Sequence, residues 1–174
     1  MGRIILILLT LISYVSFGQD RQLIQIDTEI STIEANTTLE LTEFDPAKRT
    51  EIATDGGRIL KIWHQKKQIH KIAEEIGLSY GRIRTTVYLK NGIPVKIIET
   101  EEHFEQTHNG LNDQKLTEVY KAERYVFDWE NNKCTIKQAG KRVLSEDKNA
   151  HIDYKQVIER ARKVIAEQNS NKKP

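Results

Sequence analysis

Apolar residues change their spacing along this chain, and the changes divide it into elements. Ile4 to Ile12 is an almost unbroken apolar run with one threonine inside it. From Asp20 to Asn36 the spacing becomes helical, because Leu23, Ile26, Ile30, Ile33 and Thr37 recur at steps of three and four. Thr37 to Phe44 is richer in β-branched residues and predicts a first strand that Asp45-Pro46 stops. Asp55-Gly56-Gly57 then marks a turn between strands at Thr50–Thr54 and Arg58–His64.

The segment from Gln65 to Gly77 fits two templates. Ile69, Ile72, Ala73 and Ile76 sit at i, i+3, i+4 and i+7, with Gly77 placed to end a helix. Strands flank the segment on both sides and Trp63 to Ile69 reads as a hairpin turn. A strand is the better fit, since a short helix would interrupt a continuous meander. Leu78-Ser79-Tyr80-Gly81 turns the chain into the strand that starts at Arg82.

Asn91-Gly92 is the strongest turn signal, because both residues tolerate the positive φ of a type I′ turn. A two-residue loop there pairs positions that sum to 183. Arg84 then faces Glu99 and Arg82 faces Glu101, on the same side as Tyr88. That mixed face of Tyr88, Arg82, Arg84, Glu99 and Glu101 is the candidate binding surface. A second hairpin at Asn131-Asn132, with pairs summing to 263, places Trp129/Cys134, Phe127/Ile136 and Tyr125/Gln138 together on a core face. Thr107 to Lys115 reads as a polar loop between two long strands. Asp153 is placed as the N-cap of a last helix, with Gln156 at N3. Its apolar stripe is Tyr154, Val157, Ile158, Ala161 and Ile165, while Arg160, Arg162 and Lys163 face outward; residues 169–174 form a disordered tail.

The segments Val87 to Val95 and Tyr125 to Cys134 share an order of aromatic strand, asparagine turn and returning strand, and Gly77 to Gly81 goes with them. In this they resemble small exported bacterial β-meander proteins, over roughly Thr50 to Gly140. The resemblance implies a meander and carries over no catalytic or binding residues. The expected fold is α+β: an antiparallel β-meander sheet of about six strands, with an N-terminal and a C-terminal helix packed on one face.

Met1-Gly2-Arg3, the apolar run and the small residues Ser16 and Gly18 have the layout of an export signal cleaved before Gln19. The run is shorter than the roughly 20 apolar residues of a membrane span. The expectation is therefore a signal at 1–18, one domain over 19–174, a periplasmic or secreted location and no stable membrane insertion after cleavage. No cysteine stands at the cleavage point, so lipid attachment has no support. Cys134 is the only cysteine, which forbids an intramolecular disulfide, and it is expected as a small buried residue in a strand.

Charge narrows the function classes. The chain has 27 Lys+Arg against 25 Asp+Glu, and Arg3 is the only charged residue in the signal. So even a balance argues against a nucleic-acid partner, where a basic excess is expected. No Gly-x-Ser-x-Gly elbow and no phosphate-binding glycine loop is present. Glu74-Glu75 and Glu101-Glu102 are neighbours and would point to opposite faces of a strand. The weak metal candidates are His103, Glu105 and His108, next to Glu99, Glu101 and Glu102; none has zinc-site spacing. No catalytic residue and no cofactor is indicated. The expected function is a non-enzymatic exported binding protein, acting on an unknown envelope or extracellular partner through the sheet or the 107–115 loop. The alternatives are a periplasmic hydrolase or metal-dependent enzyme, and a structural envelope-associated protein.

Overall fold

A computed structural model describes residues 20–45, 56–108, 110–144 and 154–171. The signal, the expected strand at Thr50–Thr54 and the Asp153 cap lie outside these residues. The chain divides into two compact units, Met1–Asn36 and Thr37–Pro174. In the first unit, residues 20–35 form helix α1, along the stripe read from the sequence. No helix among the described residues is long and apolar enough to cross a membrane.

The second unit is a seven-stranded antiparallel sheet in strictly sequential order. Its strands are β1 (Glu40–Phe44), β2 (Arg58–Gln65), β3 (Gln68–Leu78), β4 (Gly81–Lys90), β5 (Ile93–Thr107), β6 (Gly110–Asp128) and β7 (Lys133–Gly140). Helix α2 (Tyr154–Asn171) packs on one face. The fold is α+β as expected, with seven strands where about six were read. Residues 169–171 continue α2 where a tail was expected.

The ambiguous segment is strand β3, and a bulge explains its helical spacing. Trp63 pairs with Lys71 but His64 pairs with Ile69, so His70 is the extra residue. One extra residue returns Ile69 to the face of Ile72, two neighbours that a regular strand would separate. Ile69 and Ile72 then join Leu60, Ile62, Val87, Leu89, Ile97 and Val126 beneath Val157, Ile158, Ala161, Val164 and Ile165 of α2.

A second bulge overturns the expected register of β4 and β5. Asn91 and Gly92 do adopt positive φ (52° and 79°), as the turn requires. Lys90 pairs with Ile93 and Leu89 with Pro94, but Tyr88 pairs with Lys96, leaving Val95 as the extra residue. From there on every residue of β5 changes face. Arg84 lies opposite Thr100 and Arg82 opposite Glu102, whereas Glu99 and Glu101 turn to the face that carries α2.

The turn at Asn131-Asn132 is also longer than read. Val126 pairs with Cys134 and Asp128 with Lys133, leaving residues 129–132 as the loop. Asp128 closes it, accepting from Asn131 N at 3.1 Å and from Asn131 Nδ2 at 2.7 Å. These bonds hold its carboxyl below the usual carboxylate range. Cys134 and Ile136 therefore share a face with Val126 and Arg124, and not with Tyr125 as expected. Cys134 is half-buried rather than buried, and its Sγ lies 3.0 Å from Arg124 Nη1. Thr107 to Lys115 is mostly strand: Thr107, at the end of β5, pairs with Gly110, at the start of β6, where a loop was expected.

Candidate functional site: a groove beside the C-terminal helix

The binding face read from the sequence is split by the Val95 bulge. Tyr88, Arg82 and Arg84 stay together on the face away from α2, but Tyr88 is buried at 7% exposure. It belongs to a row that crosses the whole sheet: Leu41, Trp63, Lys71, Tyr88, Lys96, Tyr125 and Thr135. Lysine alternates with aromatic rings along it. Lys71 Nζ stands 4.5 Å from the Trp63 ring and 5.6 Å from that of Tyr88, and Lys96 Nζ stands 4.2 Å from the Tyr125 ring. Arg82 is bonded to Glu102, and both Arg82 and Arg84 reach Glu75 at 3.5 Å.

Lys96 is also tied to Glu123 at 3.2 Å, and Lys121 to the same carboxylate at 2.8 Å. Burial alone would raise the pKa of Glu123, but the bonds and charges of Lys121 and Lys96 outweigh it and hold the carboxyl at about 2. A depressed carboxylate stabilises the fold above its unfolded pKa and loses that contribution as pH falls through its folded value. The contribution should be roughly 1–3 kcal/mol after discounting for solvent screening, fading between about pH 4.5 and pH 2. Urea titrations of the wild type and Glu123→Gln should differ by that amount at pH 7 and converge near pH 2. A gap independent of pH would remove the ion-pair account.

Glu99 and Glu101 act on the opposite face. Glu101, at 1% exposure, accepts hydrogen bonds from the Val143 and Leu144 amides at 2.8 and 2.9 Å. Glu99 accepts from Arg142 Nη2 at 2.9 Å and from the Tyr154 hydroxyl at 2.8 Å. Burial, and then the neighbouring Glu99 charge, push the Tyr154 phenol far above its usual range, so it remains a donor. Glu74, at 2% exposure, takes Arg58 at 3.0 Å and Arg160 at 2.8 Å, so Arg160 faces the sheet where the helical pattern placed it outward. These carboxylates fasten residues 142–144 and α2 onto the sheet.

The metal candidates do not converge. Among the described residues no three of His, Cys, Asp and Glu form a group able to hold a metal ion. The ring of His103 meets Tyr80 edge-on at 6.2 Å, Glu105 pairs with Lys115 at 2.9 Å, and His108 is exposed at the hairpin tip. His64 is a buried structural group. Its Nδ1 lies 2.9 Å from the Lys66 carbonyl and its Nε2 lies 3.0 Å from Thr42 Oγ1, which in turn bonds Gln168 of α2 at 3.0 Å.

The concave surface lies elsewhere. A groove of about 520 Å³ runs along α2 and is lined by Lys67, Ile69, Arg162, Ile165, Ala166, Asn169 and Ser170. A second hollow of about 370 Å³ adjoins it, sharing Lys67, Ile69 and Arg162 and adding Leu89 and the Asn91-Gly92 turn. The helical residues recur at i, i+3, i+4, i+7 and i+8, one stripe of α2. Its walls are the tips of two hairpins, at Lys66-Lys67 and Asn91-Gly92. Arg162 is positioned by donating to the Gly92 carbonyl at 2.9 Å. Ile69 and Ile165 form an apolar floor, two cations stand at the rim, and no carboxylate lines either hollow. Ser170 donates its hydroxyl to the Ala166 carbonyl at 3.0 Å, inside the helix. The lining therefore offers binding contacts for an anionic group and no acid–base pair.

Sequence reasoning missed this groove. It read Lys67 as a turn residue and Arg162 as an outward charge, and both readings are locally correct. What the local pattern lacks is the juxtaposition of residues nearly one hundred positions apart. Comparison of the chain with protein-family models, curated proteins and solved structures finds no match.

Proposed function

We propose that the chain is an exported, non-enzymatic binding protein whose groove beside α2 takes a small or extended ligand bearing a carboxylate next to an apolar group. The observation that carries this reading is the pairing of Lys67 and Arg162 at the rim of an apolar floor with no acidic residue in the lining. Export rests on the signal layout of residues 1–18, and an envelope or extracellular partner follows from that location. The resemblance to small exported bacterial β-meander proteins agrees with both.

The test is an NMR titration with N-acetyl-leucine and with N-acetyl-leucinamide, which differ in the carboxylate alone. The acid should shift resonances of Ile69, Ile165 and Ala166, and Lys67→Glu should weaken its binding about tenfold, or about 1.4 kcal/mol. Equal binding of the amide, or shifts confined to other surfaces, would defeat the groove assignment. Cell fractionation tests the location independently, and retention in the cytoplasm would defeat it.

A further inference from the structure

The two edges of the sheet carry opposite charge, and this has a consequence for how two copies meet. β1 and β7 each pair with a single strand among the described residues, so each leaves one side of its backbone at the margin of the sheet. From Thr37 to Asp45 the β1 edge carries Glu40, Glu43 and Asp45 and no basic residue. From Asn131 to Lys141 the β7 edge carries Lys133, Lys137 and Lys141 and no acidic residue. Each edge also presents an exposed apolar side chain, Leu41 at 50% and Ile136 at 48% exposure.

Edge strands are templates for further strand pairing, and like charges are one means of blocking it. The lysines of β7 oppose pairing of β7 with another β7, and the glutamates of β1 oppose pairing of β1 with another β1. Pairing of β1 with β7 is the combination that both sets of charges favour. We propose that the protein associates head to tail with a second copy of itself, the β1 edge of one molecule adding to the β7 edge of the next.

The topology fixes the form of such an assembly. An odd number of strands in a sequential antiparallel sheet makes β1 and β7 run in the same direction. A second copy placed by continuing the sheet, with α2 kept on the same face, therefore meets the first in a parallel junction. Glu43 then comes to the same side of the joined sheet as Lys133 and Lys137, and Phe44 to the same side as Ile136. The contact is heterologous, so it generates open chains or rings and not a two-fold dimer. β1 has only five residues, which limits the junction to a short ladder and makes the association weak and dependent on concentration.

Sedimentation velocity on purified protein at low salt should show species larger than a monomer, growing with concentration and receding at least tenfold as salt rises toward 1 M. The double variants Lys133→Glu/Lys137→Glu and Glu40→Lys/Glu43→Lys should each be monomeric, with circular dichroism confirming that both are folded. Mixed together, they should assemble again, since the altered β7 of one now complements the altered β1 of the other. As a measurement that does not depend on the folding of either variant, a labelled peptide of residues 37–45 should bind the wild type, and the same peptide with Glu40 and Glu43 replaced by lysine should not. A wild type that stays monomeric, variants that assemble alone, or a mixture that does not recover would each overturn the proposal. Equal binding of a poly-glutamate peptide would overturn it too, because the β7 edge would then take any acidic strand.

Discussion

Replacing Glu101 by alanine is expected to destabilise the fold by about 3–5 kcal/mol. Its carboxylate is 1% exposed and accepts from two consecutive backbone amides, Val143 and Leu144, while Arg142 stands 3.5 Å away. Truncation leaves two amides without their acceptor and removes an anion from beside the guanidinium. An unsatisfied buried donor costs roughly 1–3 kcal/mol, and breaking a buried charge pair from one side adds to it. Glu101→Gln keeps an acceptor oxygen and should cost about 1–2 kcal/mol, the charge-assisted part alone. Urea denaturation measures both, and hydrogen exchange should show the Val143 and Leu144 amides losing protection in the alanine variant. A loss below about 1 kcal/mol with those amides still protected would show that this carboxylate does not fasten the segment.

Ile72→Ala should cost about 3–4 kcal/mol. Ile72 has no exposed surface and packs in the cluster formed by Leu60, Ile62, Val87 and Ile97 beneath Val157 and Ala161. Removing three buried carbons loses their transfer free energy and leaves a cavity between sheet and helix that neither can readily close. Ile136→Ala is the control: the same chemistry on a side chain 48% exposed should cost well under about 1 kcal/mol. Similar losses at the two positions would mean that α2 does not enclose the face containing Ile72.

These two residues show where the sequence was legible and where it was not. Ile72 was read in the apolar spacing of the Gln65 to Gly77 segment, with the choice between strand and helix open. The bulge at His70 decided it, by allowing a helical spacing to occupy one face of a strand. Glu101 was read as an exposed partner of Arg82. A single extra residue, Val95, moved it across the sheet into a buried clamp. A bulge of this kind keeps alternation on both sides but inverts its phase, so pairs counted outward from the turn miss it. The turn chemistry of Asn91-Gly92 was right and the two nearest pairs followed from it, but a register extrapolated from a turn is only as good as the regularity of the strands beyond.

The groove shows a different limit. Lys67 sits in one hairpin tip, Gly92 in another, and Arg162 on a helix that follows the last strand. Their meeting depends on the curvature of the sheet and on where α2 crosses it, which are properties of the packed structure. The edge charges, in contrast, were present in the sequence all along. Only the strand order made them edges: the same lysines on a central strand would face two neighbours and carry no message for a second copy.

By itself the sequence determined the class of fold, the sequential meander, the α2 stripe and the type I′ turn. These are local properties, set by side-chain period and by the backbone freedom of asparagine and glycine. The tertiary structure decided the face of each charged residue, the partners of the buried glutamates, the groove and the identity of the free edges. Those depend on register and on contacts between residues far apart in the chain, where one inserted residue reverses a face without altering the local pattern.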